Sequence, residues 1–418
     1  MIPQRLRAAI ATPWRRTLYI MFAAQLLTAV GFSIFVPFLP LYIEDLGSTT
    51  GLSIELLAGL AYSGQALTMM LISPVWGSLA DRVGRKLMVV RAMFGGALVL
   101  ILLAFVTSGE QVVIVRAIQG LITGTVAAAN ALVAAEAPRE RVGYAMGLLQ
   151  MGLFVGISVG PLLGGGMADV FGYHAVFYIT SGLLALGGLL VLFGVREHAE
   201  RQESRDDPSR EGFLTKWRRV LATPGVKIAY LMRFMAQLGR TSILPYAPLF
   251  VASLMPPDAL VNSMTGLVIG SVMVTTSISG VFLGRLSDRI GQRKIVVVAT
   301  LAAGLLYIPQ SLVGAAWQLV ALQAIVGVAL GGVIPLISAM LANYTTIGEE
   351  GSVYGLDNSI NSGARVVAPM LGSAVVTLFG LRAVFISTAL VFTIAGWMAL
   401  RYLPETHRPK GAHEQPTG

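Results

Sequence analysis

The sequence has no cysteine, few charged residues and no phosphate-binding loop, and each absence excludes a class of protein. Without cysteine the chain has no disulfide, no thiol nucleophile and no thiolate ligand for a metal. Charged residues make up 12% of the chain, against roughly 25% in a soluble domain, which excludes a soluble fold. No Gly-Lys dipeptide occurs, which argues against a P-loop and therefore against an ATP-driven pump.

Residues that do catalysis are also scarce. No cluster of polar catalytic residues interrupts the apolar sequence, and the four histidines lie outside the long apolar runs, at His174, His198, His407 and His413. We therefore predict neither an enzyme nor a metal site.

Long apolar runs occupy most of the chain, which is 55% hydrophobic with a mean hydropathy of +0.74. The segment from Ala175 to Val195 holds 21 uncharged residues and matches the ~20 that cross ~30 Å of hydrocarbon. The same length test predicts an all-α membrane protein of twelve transmembrane helices. The predicted spans are residues 17–43, 54–76, 87–107, 111–135, 143–166, 175–195, 225–252, 263–283, 294–313, 318–342, 353–379 and 382–402.

The distribution of Lys and Arg sets the orientation. With the N-terminus inside, 25 of the 30 fall in segments on the cytoplasmic side, as the positive-inside rule requires. The net charge of +9 is thus a topology signal and argues against nucleic-acid binding. We expect both termini in the cytoplasm, and short outer loops without a sorting signal favour a bacterial inner membrane.

The chain divides at a charged linker into two similar halves. Positions 196–219 hold 13 charges in 24 residues. Pro37 matches Pro245 at an offset of 208, and Gly77 matches Gly284 at 207. Such a repeat predicts two six-helix bundles around a central cavity. The predicted units are an N-terminal bundle (1–195), a cytoplasmic linker (196–224), a C-terminal bundle (225–403) and a cytoplasmic tail (404–418).

Three motifs resemble those of the major facilitator superfamily, specifically its twelve-helix drug:proton antiporters. They are "GSLADRVGRK" at 77–86, "RAIQG" at 116–120 and "GISVGPLLGG" at 156–165. The resemblance covers about residues 17–403. It implies a monomer without cofactor, driven by the proton gradient, that moves a small molecule across the bilayer by rocking two bundles in alternating access.

Two groups of residues are predicted to gate the transporter. In the charged hairpin a glycine permits a tight turn, and an acid is placed to cap a neighbouring helix. In the family the matching acid helps to latch the cytoplasmic side. The fifth span has glycine at every fourth residue and a proline, which gives a flat, bendable face for helix packing. The predicted gating residues are Gly77, Asp81, Arg82, Gly84, Arg85, Asp288, Gly156, Gly160, Pro161 and Gly164.

Ionisable and polar residues inside the spans predict the transport site, because a charge in the hydrocarbon costs about 2.5–3.5 kcal/mol unless it faces a cavity or a partner. The predicted substrate cavity comprises Gln25, Arg233, Gln237, Arg240, Asn361 and Arg365. For Arg233 an alternative is that it reaches the cytoplasmic interface. The predicted proton-coupling residues are Arg116, whose role the resemblance implies, and the acids Asp357, Glu136 and Glu55.

The charge of the cavity leaves two functions open. The first span has no acid before Glu44 and Asp45, whereas many relatives that export cations carry one in its middle. A cavity lined by arginines favours anionic or zwitterionic solutes. We therefore expect a proton-coupled exporter of amphipathic organic compounds and drugs, and as the alternative a transporter or exchanger of an organic anion or of a zwitterionic metabolite or lipid.

Overall fold

The computed structural model consists of helices joined by short turns. It describes residues 13–138, 141–197, 225–256, 258–344 and 350–404, together with 218, 221 and 223, and these ranges contain no strand. The predicted all-α fold class is confirmed. Most of the predicted linker and tail lies outside the described residues.

Twelve helices, α1 to α12, occupy the twelve predicted spans. Four of them, α1, α4, α7 and α10, are interrupted within the span, and α5 and α6 form one helical run divided at Gly172, which has non-helical backbone angles. The bounds are Pro13–Phe35 with Val36–Phe38 and Leu39–Leu46 (α1), Ile54–Val83 (α2), Arg85–Leu103 (α3), Gly109–Ile122 with Thr125–Glu136 (α4), Val142–Gly194 (α5 and α6), Val226–Ile243 with Ala247–Ser253 (α7), Val261–Ile290 (α8), Gln292–Gln310 (α9), Ala316–Leu330 with Val333–Tyr344 (α10), Glu350–Phe379 (α11) and Ala383–Tyr402 (α12).

Nine of the described segments are long and apolar enough to cross a membrane. One of the nine contains both α5 and α6. The two further helices, α4 and α7, do not meet that criterion, because α4 is interrupted after Ile122 and α7 carries Lys227, Arg233 and Arg240 in 18 residues. Both of these helices hold predicted site residues.

The ends of α2 and α8 differ from the sequence prediction. Both helices continue seven residues beyond the predicted ends at 76 and 283, so that the charged residues before each turn, such as Arg82 and Asp288, lie on the last helical turns. The turns are made by Gly84 (φ 104°) and Gly291 (φ 97°), in a region of backbone space that favours glycine. The prediction was short because it stopped each span where charges begin, although a helix can continue into the aqueous interface.

Backbone geometry repeats in the two halves, 13–197 and 225–404, which we call the N-half and the C-half. Shifted by 207 residues, α2 and α3 have the same bounds as α8 and α9. The interruption of α4 at Gly124 recurs in α10 at Gly331, by the same shift. Proline begins the second segment of both α1 and α7, as Pro40 and Pro248.

Over the residues that the structure describes, the close packing between the two halves lies at one end of the molecule. We call the end that carries the predicted cytoplasmic loops the inner end. At the outer end a Cβ on Gly165 of α5 would lie 2.4 Å from the carbonyl oxygen of Asn262 of α8, and Gly59 of α2 packs against Tyr246 and Pro369. Leu41 of α1 joins the C-half core there.

At the inner end the helices that meet across the outer contact have separated. A Cβ added to the six inner-end glycines named below would meet nothing within 4 Å, so the other half does not pack against them. Over the described residues the molecule is therefore closed at the outer end and open at the inner end. The glycines are Gly77 in α2, Gly143 and Gly147 in α5, Gly284 in α8, and Gly355 and Gly363 in α11.

Candidate functional site

An ion pair joins α7 to α11 in the C-half. The Nε of Arg233 lies 3.1 Å from Oδ1 of Asp357, and its Nη2 donates a 3.2 Å hydrogen bond to Oδ2. The Nδ2 of Asn361 donates to the same Oδ2 at 3.0 Å, and Nη1 of Arg233 reaches the carbonyl oxygen of Ile334 in α10. The guanidinium of Arg233 is thus held inside the bundle by a carboxylate and does not extend to the interface.

Two further arginines of the C-half have no acid beside them among the described residues. Arg240, two turns beyond Arg233, contacts the sulfur of Met273 at 3.4 Å and is within electrostatic range of Arg365 and Tyr307. Arg365 of α11 is exposed and lies within electrostatic range of Arg240 and Arg233. The two side chains therefore bring positive charge without an acidic neighbour into the described part of the C-half.

The two predicted glutamines differ in their surroundings. Nε2 of Gln237 in α7 donates to Oγ1 of Thr241 at 2.9 Å, one turn further on. Gln25 in α1 is 2% exposed, and its Oε1 has no hydrogen-bond donor among the described residues. A buried amide oxygen without a donor is costly, so Gln25 is a candidate to bind a ligand or water.

Arg116 of α4 forms the buried polar network of the N-half. Its Nη1 donates to Oε1 of Gln119 and its Nη2 donates to Oε1 of Gln65 in α2. The rings of Phe35 and Tyr62 each have their centroid 5.7 Å from the guanidinium carbon. Arg116 therefore contacts two amides and two aromatic faces, whereas its Nε has no hydrogen-bond partner and no carboxylate lies beside it among the described residues.

The structure does not bring the three predicted acids together. Glu55 lies in the first turn of α2 at the outer end, where its carbonyl oxygen accepts a hydrogen bond from the hydroxyl of Tyr246 at 3.3 Å. Glu136 ends α4 at the inner end, about 30 Å along that helix from Arg116. Asp357 is the one of the three that contacts a predicted substrate residue.

The outer contact contains a residue that the sequence prediction missed. Asp169 of α5 accepts hydrogen bonds through Oδ1 from the backbone and side-chain nitrogens of Asn262, at 3.2 and 2.9 Å, and through Oδ2 from the backbone nitrogen of Ser263 at 2.7 Å. Both donors lie in the first turn of α8. Tyr173 donates to Oδ1 of Asn262 at 3.1 Å. A carboxylate at a helix N-terminus is favourable, so Asp169 stabilises the closed outer end.

The hairpin after α2 is capped by a second residue that the prediction missed. Glu197, beyond the end of α6, accepts hydrogen bonds from the backbone nitrogens of Arg85 and Lys86, at 2.9 and 3.2 Å, and so caps α3. Nη1 of Arg85 donates to the carbonyl oxygen of Ala131 in α4 at 3.2 Å. The side chain of Asp81, for which a capping role was expected, lies outside the described residues.

The other predicted hairpin residues face water. Arg82 and Asp288 are exposed, each on the last turns of its helix, and open space surrounds Gly77. In this arrangement, which is open at the inner end, neither Arg82 nor Asp288 contacts the other half among the described residues, so the predicted latch stays a prediction.

The glycine row of α5 packs within the N-half. Gly156, Gly160 and Gly164 lie against α1, where a Cβ would meet Ala29, Ser33 and the carbonyl oxygen of Ile34 respectively. The residues of α5 that face α8 are one position away, with the carbonyl oxygen of Pro161 against Gly266. The row therefore fixes α5 to α1, and its neighbours form the contact between the halves.

Comparison with known proteins gives consistent matches. The model of the Major Facilitator Superfamily matches residues 21–255 and 229–417. The multidrug resistance protein MdtG of Salmonella paratyphi A is 35% identical over 394 residues, which cover 93% of this chain and 96% of that protein. MdtG of Serratia proteamaculans is 34% identical over 407 residues, covering 96% and 98%. A bacterial homologue of the human lysosomal transporter Spinster, in an inward-facing and occupied conformation, superposes with a TM-score of 0.75 at 16% identity over 93% of this chain and 97% of that one.

Proposed function

Since this chain belongs to the major facilitator superfamily and is therefore a multi-pass membrane transporter and not an enzyme, we propose that it exports amphipathic organic compounds, drugs included, in exchange for protons. The name of the MdtG relatives, multidrug resistance protein, supports the drug substrate. The proposal places the chain in a bacterial inner membrane with both termini in the cytoplasm. It works as a monomer without a cofactor.

The ion pair between Arg233 and Asp357 is the observation that carries the proton-coupling part. Both side chains are mostly buried, at 12% and 17% exposed, inside a helical bundle that is open at its inner end. Protonation of Asp357 removes its charge and releases Arg233 from its ionic partner. If substrate binding and proton binding both alter this ion pair, each changes the affinity for the other. Exchange requires such coupling.

Alternating access is the proposed movement. The outer contact uses backbone groups, glycines and one carboxylate, and the inner ends of the same four helices are apart. Rocking of the halves about the cavity would open the first and close the second. In that outward-open state the charged ends of α2 and α8 would approach other cytoplasmic segments, and the predicted latch residues would make their contacts.

A second candidate function is supported by Arg240 and Arg365. Their charges have no acidic partner among the described residues, and uncompensated charge inside a membrane protein favours a ligand of opposite sign. An organic anion, or a zwitterion that presents its acidic group, would meet both guanidinium groups. If one anion is exchanged for another, this second function is driven by the anion gradients, whereas the first is driven by the proton gradient.

Transport in proteoliposomes separates the two functions. A labelled amphipathic compound is added outside vesicles whose lumen is more acidic than the medium. Exchange for protons predicts accumulation that stops when an ionophore collapses the pH difference. Accumulation that ignores the pH difference but requires an organic anion inside the vesicle would reject the proposal and support anion exchange.

A further inference from the structure

A cavity of about 680 Å³ lies between α8, α9 and α10 in the C-half, away from the transport site. Apolar side chains form nearly all of its wall, Leu283 of α8 and Ile325 of α10 among them. Val298 of α9, which also lines it, is 66% exposed. The cavity therefore opens on the apolar surface of the molecule, where the bilayer lies. We call it the C-half groove.

The N-half lacks this groove because larger side chains fill the same place. Shifted by 207 residues, Leu283 corresponds to Trp76 and Val298 to Arg91. The guanidinium carbon of Arg91 is 3.4 Å from the ring centroid of Trp76, and the indole nitrogen donates to the carbonyl oxygen of Leu121 at 2.7 Å. In the N-half, the place that corresponds to the groove is therefore closed by the stacked side chains of Trp76 and Arg91.

A second pair of positions enlarges the difference. In the N-half Ile122 packs directly over Gly95, where a Cβ would stand only 2.2 Å from its methyl group. The corresponding residues of the C-half are Ala329 and Ala302, both of which line the groove. The smaller Ala329 leaves space where Ile122 fills it. Such a volume is unfavourable if empty, and it offers water too few polar partners to occupy it.

The groove has a basic residue at its inner end. Lys294 lies in the first turn of α9, is exposed, and lines the groove. The segment 284–294 contains four cations and one acid. From Lys294 to Leu306 the groove follows α9 for about 18 Å, close to the ~15 Å depth of one leaflet. An ammonium at the headgroup level and an apolar channel of this length match one acyl chain and the phosphate of its lipid.

We propose that the C-half groove binds an anionic phospholipid of the inner leaflet, with one acyl chain between α8, α9 and α10 and the headgroup phosphate on Lys294. Binding here is independent of the transported substrate, because the groove faces the bilayer. The structure assigns this site to one half only, so lipid binding is asymmetric although the fold is repeated.

Native mass spectrometry of the full chain from nanodiscs with equal phosphatidylglycerol and phosphatidylcholine tests the site. We expect retained phosphatidylglycerol after the surrounding lipid has been stripped by gas-phase activation. Lys294→Gln should lower the ratio of retained phosphatidylglycerol to phosphatidylcholine about fivefold, because one cation is lost at the headgroup. Lys227→Gln, an equal change at an exposed inner-end lysine outside the groove, should leave the ratio unaltered.

A variant that fills the groove tests the acyl-chain part. Ala302→Phe should lower the retention of both lipids about tenfold while the unfolding temperature stays equal or rises, because the side chain occupies the empty volume. If that variant is not produced, Val298→Phe makes the same test from the exposed edge of the groove. No retained lipid in the unaltered chain, undiminished retention in the filled variant, or equal effects of the two lysine changes would overturn the proposal.

Discussion

The carboxylate of Asp169 in α5 lies 2.7 Å from the backbone nitrogen of Ser263 in α8, and this contact joins the two halves at the outer end. The acceptor is charged, whereas the donors are the unsatisfied N–H groups of a helix start. In the proposed alternating-access cycle this contact is present only while the outer end is closed, so it would contribute to the difference in free energy between the two states.

Asp169→Asn should shift the chain towards its outward-open state. The amide keeps one acceptor oxygen and loses the charge, which costs about 1–2 kcal/mol, or roughly fivefold to thirtyfold in the equilibrium between the states. Because the chain has no native cysteine, Ser373→Cys at the buried outer contact reports opening when it is labelled by an impermeant maleimide from outside. We expect faster labelling in the Asp169→Asn background. Asp258→Asn, an exposed acid of the outer loop, should leave the rate unchanged.

Gly165→Ala should prevent full closure of the outer end. Its Cβ would lie 2.4 Å from the carbonyl oxygen of Asn262, a distance that forces the helices apart. Gly166→Ala adds the same atom to the next residue, where nothing lies within 4 Å, and is the matched control. Transport should fall at least tenfold in the first variant and stay normal in the second. Equal activities would show that the halves need not meet at α5 and α8.

Asp357→Asn should separate the movement of substrate from that of protons. The amide still pairs with Asn361 by hydrogen bonding but has no carboxylate that could accept a proton. Accumulation driven by a pH difference should fall at least tenfold, while exchange of labelled for unlabelled substrate continues. The measurement is uptake in proteoliposomes with Asp258→Asn in parallel. Retained pH-driven uptake would move the proton-coupling role to Glu136 or Glu55.

Arg240→Gln and Arg365→Gln should each weaken the transport of anionic compounds. A lost hydrogen bond to a charged group costs about 1.5–3 kcal/mol, or roughly tenfold to 100-fold in affinity. Uptake of a neutral amphipathic compound should change little. Arg401→Gln removes an exposed cation at the inner end of α12 and controls for net charge. Unaltered anion uptake in both variants, at normal protein levels, would remove these residues from the substrate site.

Glu197→Gln should destabilise the hairpin after α2. The carboxylate caps two backbone nitrogens of α3, an interaction typically worth about 0.5–1 kcal/mol. We expect a lower unfolding temperature in detergent, whereas Arg196→Gln at the adjacent exposed position should have no such effect. Equal unfolding temperatures for Glu197→Gln and the unaltered chain would show that the cap adds nothing to stability.

The fold was predictable because its signals are local. Span lengths, glycine turns at Gly84 and Gly291, and the offset between the halves are read directly from the sequence, and the structure repeats the offset in its helix bounds. The partnership of Arg233 with Asp357 was not predictable, because 124 residues separate them and only the packing of α7 on α11 makes them neighbours.

The helix caps made by Asp169 and Glu197 had only weak signals in the sequence. Asp169 stands five residues after Gly164, near the outer end of the fifth span, and the eighth span was predicted to begin at 263, at the same side of the membrane. That the two would touch depends on which ends of the halves are closed. In the proposed cycle the same sequence forms both the inward-open and the outward-open state. The sequence alone therefore does not specify which contacts are present in one of them.

The closed outer surface has a pharmacological consequence. It is a seam of glycines and main-chain atoms, with little depth in which a blocking molecule could lodge. On the opposite face the helix ends are separated, and a bulky inhibitor between them would hold them apart and arrest the proposed cycle. In the proposed orientation such an inhibitor has to enter the cell first, so its potency in whole cells would depend on entry as much as on fit.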